Sequence, residues 1–280
     1  MAFRLASILP ACLLAVALPF RAGAQAPTRR TTAPHTTVEL ITAAETASSG
    51  MDLWVGVRFQ LEHGWHIYWQ NPGDGGSAPA LAWQLPVSVR AGDIEWPAPS
   101  RIAAGTLVNY GYEGDVVLPV PLRVAPGAGG PVTLGLNLRW LICLDVCVPG
   151  RAQLALTLPL TPAAPGEVAR WKSLIEHARA RVPKPAPASW KARAVSDGDA
   201  FVLTIDTGAS ETQGVFFPLE AGQINDSAPQ RIRAIARGLQ LTLRKSDLLS
   251  SDPGYLKGVL SLSPDRTYVI VAPVSPSMSP

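Results

Sequence analysis

Alternation of apolar and polar residues with a period of two dominates the first half of the chain. Between residues 51 and 61, Leu53, Val55, Val57, Phe59 and Leu61 fall on one side and Asp52, Arg58 and Gln60 on the other, which predicts a half-buried strand. Trp54 and Gly56 interrupt the polar side, so that face is expected to be covered too. Residues 38–41, 81–85, 116–124, 132–140 and 153–160 read as further strands, the last with Leu154, Leu156, Leu158 and Leu160 on one side. Turn residues separate them. Asn71-Pro72-Gly73-Asp74-Gly75-Gly76-Ser77 is a loop, Ile94-Glu95-Trp96-Pro97 a proline-limited edge, and Asn109-Tyr110-Gly111-Tyr112-Glu113-Gly114-Asp115 a tight turn between strands. Strands at this spacing predict an immunoglobulin-like β-sandwich over residues 37–160.

The period changes after Thr161. Val168, Trp171, Leu174, Ile175 and Ala178 recur at steps of three and four, with Arg170, Lys172, Glu176 and Arg179 between them. This predicts an amphipathic helix of about four turns, started at Thr161-Pro162 or Pro165 and ended by Pro183-Lys184-Pro185-Ala186-Pro187. Helix and proline-rich linker occupy residues 161–187. Strand-like runs at 201–205, 215–217, 239–243, 258–262 and 267–271 then predict a second, smaller β-domain over 188–273, with 274–280 a disordered tail. The expected fold class is therefore all-β: a sandwich, a linking helix and a second β-domain.

Composition agrees with this. The 280 residues are 47% hydrophobic and 16% charged, and their 27 prolines and 24 glycines suit short strands joined by turns. The amino terminus adds a destination. Residues 1–24 read as a secretory signal, with Arg4 before a proline-broken apolar run and Ala22-Gly23-Ala24 as the cleavage site. Residues 25–36, rich in Ala, Pro, Thr and Arg, read as a flexible leader. Loss of Arg4 and Arg21 leaves 22 basic against 21 acidic residues, a near-neutral chain with no argument for nucleic-acid binding. No later run is long enough for a transmembrane helix.

Candidate chemistry is sparse. G-x-S-x-G, H-E-x-x-H, G-x-G-x-x-G and P-loop patterns are missing from the sequence. Trp65, Tyr68, Trp69, Trp83 and Trp96 admit a sugar-stacking surface, but core and rim of a sandwich account for them more simply. Of the three cysteines, Cys12 lies in the signal, leaving Cys143 and Cys147 in the mature chain. A disulfide needs Cα atoms roughly 4.4–6.8 Å apart, so the segment must fold back as a bulge, a tight turn or one helical turn. A bridge across so short a loop removes little entropy, which favours a redox-active pair over a structural staple. A zinc site recruiting His63 and His66 is the third reading; on a strand those two face opposite sides. Arg139 and Arg151 flank the pair and favour a thiolate, while Asp145 opposes one.

Trp140-Leu141-Ile142-Cys143, then Cys147-Val148-Pro149-Gly150, resembles the W-x-x-C-x-x-x-C-x-P-G signature of the periplasmic amino-terminal region of DsbD and ScsB-like thiol:disulfide interchange proteins. His63-Gly64-Trp65-His66-Ile67-Tyr68-Trp69, the Asn71 loop and Asn109-Tyr110-Gly111-Tyr112-Glu113-Gly114 are similar to motifs of that family in the same order. The resemblance implies a periplasmic immunoglobulin-like domain, with no cofactor or bound metal, whose Cys143–Cys147 disulfide exchanges electrons catalytically. It implies a membrane electron-transfer protein as reductant, and thioredoxin-like proteins or disulfide isomerases as substrates. An aromatic cap is expected near residues 100–107. That stretch holds no aromatic, so the cap is either different here or supplied by Tyr110 or Tyr112, with Trp140 and Pro149 in support. The sequence departs from better-known members in its closer cysteines and in lacking any C-x-x-C, so the membrane partner is expected to be encoded separately. The alternative is a non-catalytic binding or assembly module with a structural disulfide.

Overall fold

The computed structural model describes residues 28–161 and 169–277. It is all-β, with one short helix between two β-sheet bodies. In the first body, a five-stranded antiparallel sheet runs in the order Arg30–Ala33, Thr36–Thr42, Asp52–Leu61, Asp115–Val124, Val89–Ala91. A second sheet runs Cys147–Leu158, Val132–Cys143, His66–Gly73, Leu107–Glu113, Ser100–Ala104, with Ala80–Gln84 also paired to Val132–Cys143. Leu53, Val55, Val57 and Phe59 from the first sheet meet Ile67, Trp69, Leu134, Leu136, Leu138 and Trp140 from the second. Their alternation sets the register, because a slip of one residue would turn every apolar side chain outward.

The outer face of the five-stranded sheet is covered, as Trp54 and Gly56 suggest. The helix Lys172–Ala180 lays Ile175 and Ala178 against Ile41 and Val117 there, and the Arg179 guanidinium sits 3.6 Å from the centroid of the Trp54 ring. Its nine described residues make it shorter than the expected four turns. Of the expected starting residues, Pro162 and Pro165 lie outside the described residues, as does the signal segment 1–24.

The second body is one sheet in the order Val215–Pro218, Tyr255–Ser263, Arg266–Pro276, Lys191–Asp197, Ala200–Asp206, Gly238–Arg244, Arg231–Ile235, with Lys184–Pro185 paired to Arg266–Pro276. Its core is built on Phe201, Leu203, Phe216, Leu241 and Leu260. Phe217 turns the other way and joins the first body's core, edge-on to Trp69 and Tyr110.

Three sequence expectations are corrected. Part of the flexible leader is a strand: Arg30–Ala33 pairs with Thr36–Thr42 through a turn in which His35 takes φ 60° and stacks on Trp65. Backbone pairing and threonines hold this hairpin, and neither produces an apolar alternation. The tail begins later than residue 274, because Val274 to Pro276 pair with Ala194 to Ser196; residues 278–280 lie outside the described set. Residues 109–113 are strand rather than turn, and only Gly114, at φ 71°, makes the reversal. No helix among the described residues is long and apolar enough to cross a membrane.

Candidate functional site

Cys143 and Cys147 form a disulfide across the end of the hairpin Val132–Cys143/Cys147–Leu158. They are the last register pair of the ladder, with Cα atoms 4.1 Å apart. Leu144, Asp145 and Val146 make the connection, and Leu144 N–H donates to the Val146 carbonyl at 3.2 Å. Of the ways to fold back, the chain therefore uses a hairpin turn. The two sulfurs differ in environment. Cys143 is 2% exposed, whereas Cys147 lies at the surface, after a turn in which Leu144 and Val146 are 43% and 65% exposed.

Which side chains reach Cys143 follows from the pleat. On the neighbouring strand Ile67 and Trp69 point into the core, so His66 and Tyr68 point to the opposite face. His66 is the register partner of Cys143, and Asn109 and Glu113 emerge on the same face from the next strand. Together with residues 75–76, 102–105 and Leu107 they line a cleft of about 620 Å³ that both cysteines also border.

The decisive contact is Tyr68, whose hydroxyl donates to Cys143 Sγ at 2.9 Å and lies 3.7 Å from Cys147 Sγ. Burial raises the Tyr68 pKa, which keeps the phenol protonated and able to donate. Burial also lowers the pKa of His66, against a weaker upward pull from Glu113, so its imidazole is neutral at pH 7. The Asn109 side-chain N–H donates to His66 Nε2 at 3.2 Å, and the Asn109 carbonyl oxygen is buried without a partner.

The expected supporting residues are redistributed. Tyr110 and Tyr112 lie in the core, and their hydroxyls donate to Asp226 and the Pro97 carbonyl, so neither caps the disulfide. The cause is parity: with 109–113 in a strand, even positions face inward. Trp140 is a core residue packed edge-on to Phe59, and Pro149 is an exposed strand residue paired with Leu141. Residues 102–105 and Leu107 do wall the cleft where the cap loop was expected, without an aromatic. Arg139 and Arg151 pair with each other four register steps up the ladder, about 13 Å from the disulfide at normal strand rise. The charged side chains lining the cleft are Asp145 and Glu113, so a thiolate here leans on the Tyr68 hydroxyl and not on a cation. His63 is exposed and stands apart from the cleft lining. Sequence reasoning placed Tyr68 only in an aromatic cluster; the alternation of Trp65, Ile67 and Trp69 was the signal that sets it, with His66, on the cysteine face.

Residues 37–159 match the sequence family described as thiol:disulfide interchange protein DsbD, N-terminal. Among solved structures, the N-terminal periplasmic domain of ScsB from Proteus mirabilis is similar with a TM-score of 0.66 at 20% identity, over 89% of this chain and 98% of that one. At that identity the likeness shows the fold alone. A cohesin module from Clostridium perfringens aligns over 45% of this chain and 98% of its own at 12% identity, with a TM-score of 0.27 that carries no argument. No curated protein sequence matches significantly.

Proposed function

Because residues 37–159 belong to the DsbD N-terminal domain family, we propose that the protein is an exported thiol–disulfide exchange protein with Cys143 and Cys147 as its catalytic pair. The observation that carries this reading is the asymmetry of the disulfide: one sulfur exposed, the other buried under a phenol. A thiolate of the reductant attacks Cys147 Sγ, the S–S bond breaks, and Cys143 leaves with the electron pair as a thiolate that accepts the Tyr68 hydrogen bond. The reductant's second thiol then attacks its own sulfur in the mixed disulfide and releases Cys147, so two electrons have moved. In the onward step the Cys147 thiolate attacks a substrate disulfide, and Cys143 resolves the mixed disulfide.

The reductant in this reading is a separately encoded membrane electron-transfer protein, and the substrates are periplasmic thioredoxin-like proteins or disulfide isomerases. The setting is the periplasm, reached through the signal at residues 1–24. The two facing sheets of residues 37–160 serve as an immunoglobulin-like frame, with 188–273 as a second β-domain. A purely structural disulfide is the weaker reading, since the bridge closes a turn that the twelve-residue pairing already closes.

Trapping tests the proposal. Cys143→Ala leaves the exposed thiol and is expected to accumulate a mixed disulfide with an oxidised thioredoxin-like substrate, while Cys147→Ala is not. A reduction potential below about −300 mV, with no mixed disulfide from either variant, would rule the function out.

A further inference from the structure

Two loops wall the disulfide cleft, and both are held from the second body. The first, residues 71–76, packs Gly76 so closely on the Tyr68 ring that a Cβ there would overlap it. The second, residues 102–107, contributes Ile102, Gly105 and Leu107 to the cleft lining. Each loop is tied to the turn at residues 225–228. Ser227 Oγ reaches both the Asp74 carboxylate of the first loop and the Thr106 carbonyl of the second, sharing its one proton between them. The Arg101 guanidinium donates to the carbonyls of Asp226 and Ala228 at 2.6 and 3.2 Å, and Tyr110 donates to the Asp226 carboxylate at 2.8 Å. Asn71 is pinned separately, donating to the Pro218 carbonyl at 2.8 Å.

The turn that does this is itself anchored. Asn225 N–H donates to the Arg244 carbonyl, and the Asn225 side chain accepts from Ala228 N–H, both at 2.9 Å. Asp226 is 5% exposed, so its carboxyl is committed to this junction and not to solvent. The path thus runs from Ser227 to Asp74, along the backbone to Gly76, and by contact to Tyr68 and on to Cys143 Sγ.

We propose that Asp226 and Ser227 are positioning residues for the disulfide: the second body clamps both cleft walls and so restricts access to Cys143 while leaving Cys147 open. The use of this clamp in exchange rests on the function proposed above; its effect on access to the sulfurs does not.

The test uses the full chain and small reagents. In Ser227→Ala, alkylation of reduced Cys143 by iodoacetamide is expected to accelerate about fivefold, the population shift that follows loss of one ordinary hydrogen bond, while native-state reduction by dithiothreitol, which enters at the open Cys147, keeps its rate. Asp226→Ala should act in the same direction, and Ser227→Thr, which keeps the hydroxyl, should restore slow alkylation of Cys143. Leu203→Ala, a destabilising change in the core of the second body, separates the clamp from general loosening and is expected to leave both rates unchanged. Wild-type alkylation of Cys143 in both Ser227→Ala and Asp226→Ala, or equal acceleration by Leu203→Ala, would overturn the proposal. Acceleration confined to the clamp variants, in a protein that forms no mixed disulfide with any substrate, would uphold the clamp and reject the exchange function.

Discussion

The phenol of Tyr68 donates a 2.9 Å hydrogen bond to Cys143 Sγ, from a strand on which the adjacent Ile67 and Trp69 face the core. The sulfur of a disulfide is a weak acceptor. A thiolate at the same position would accept the same bond far more strongly. The hydroxyl therefore favours the reduced state of Cys143 without changing the shape of the site, and it takes the place of a neighbouring cation.

Replacing Tyr68 by Phe removes that donor and little else. The Cys143 thiol pKa is expected to rise by about one unit, since hydrogen bonds to charged groups are worth about 1.5 kcal/mol or more. With the reduced state less favoured, the reduction potential should fall by roughly 30 mV. Thiolate absorbance against pH, and equilibration with a glutathione buffer, measure the two effects. Unchanged values would mean that the contact has no electronic consequence.

Gly76 and Gly105 offer a matched pair. Both adopt positive φ, 93° and 63°, but a Cβ at Gly76 overlaps the Tyr68 ring whereas Gly105 faces open space. Gly105→Ala should cost only backbone strain, about 1 kcal/mol, and leave the potential alone. Gly76→Ala should cost about 2–3 kcal/mol and also move the potential in the same direction as Tyr68→Phe, because it displaces the ring. Denaturant unfolding and the glutathione equilibrium distinguish the two variants.

The strands with strong apolar alternation, such as Asp52–Leu61 and Val132–Cys143, were legible from sequence because one face of each is buried. Arg30–Ala33 and Arg231–Ile235 were not, since their side chains are largely exposed and backbone pairing alone defines them. The cysteine pair was legible from its isolation and its flanking motif. The residue that touches it was not singled out, because Tyr68 lies among aromatics that all read as core. The clamp at Asp226 and Ser227 was beyond any local pattern: it joins positions such as Asp74 and Ser227, which only tertiary structure brings together.

The two ends of the cysteine motif make a structural prediction. Trp140 and Gly150 are register partners, and the indole lies over Gly150 so closely that a Cβ there would overlap it. Gly150→Ala must displace the indole and so disturb its edge-on packing with Phe59. The expected cost is about 1–3 kcal/mol of unfolding free energy with an unchanged reduction potential. A shift in potential would instead give Trp140 a part in the chemistry.

Asp226 makes stability depend on pH. Burial, reinforced by Asp74 and opposed by the Tyr110 hydrogen bond and Arg101, raises its pKa from the usual 3.8 to about 6. Below about pH 3.8 the folded and unfolded chains both hold the proton, and the residue contributes no pH dependence. As pH rises, the unfolded chain releases the proton first, so unfolding becomes easier until the folded carboxyl ionises near pH 6. Above that the cost of a buried charge is fully present and constant. Asp226→Asn keeps an oxygen acceptor for the Tyr110 hydroxyl and removes the ionisation. It should therefore flatten this part of the stability profile and be more stable than the parent above pH 6, with the gain vanishing near pH 4. Urea unfolding at a series of pH values measures this, and a parallel offset between the two profiles would show that Asp226 titrates normally.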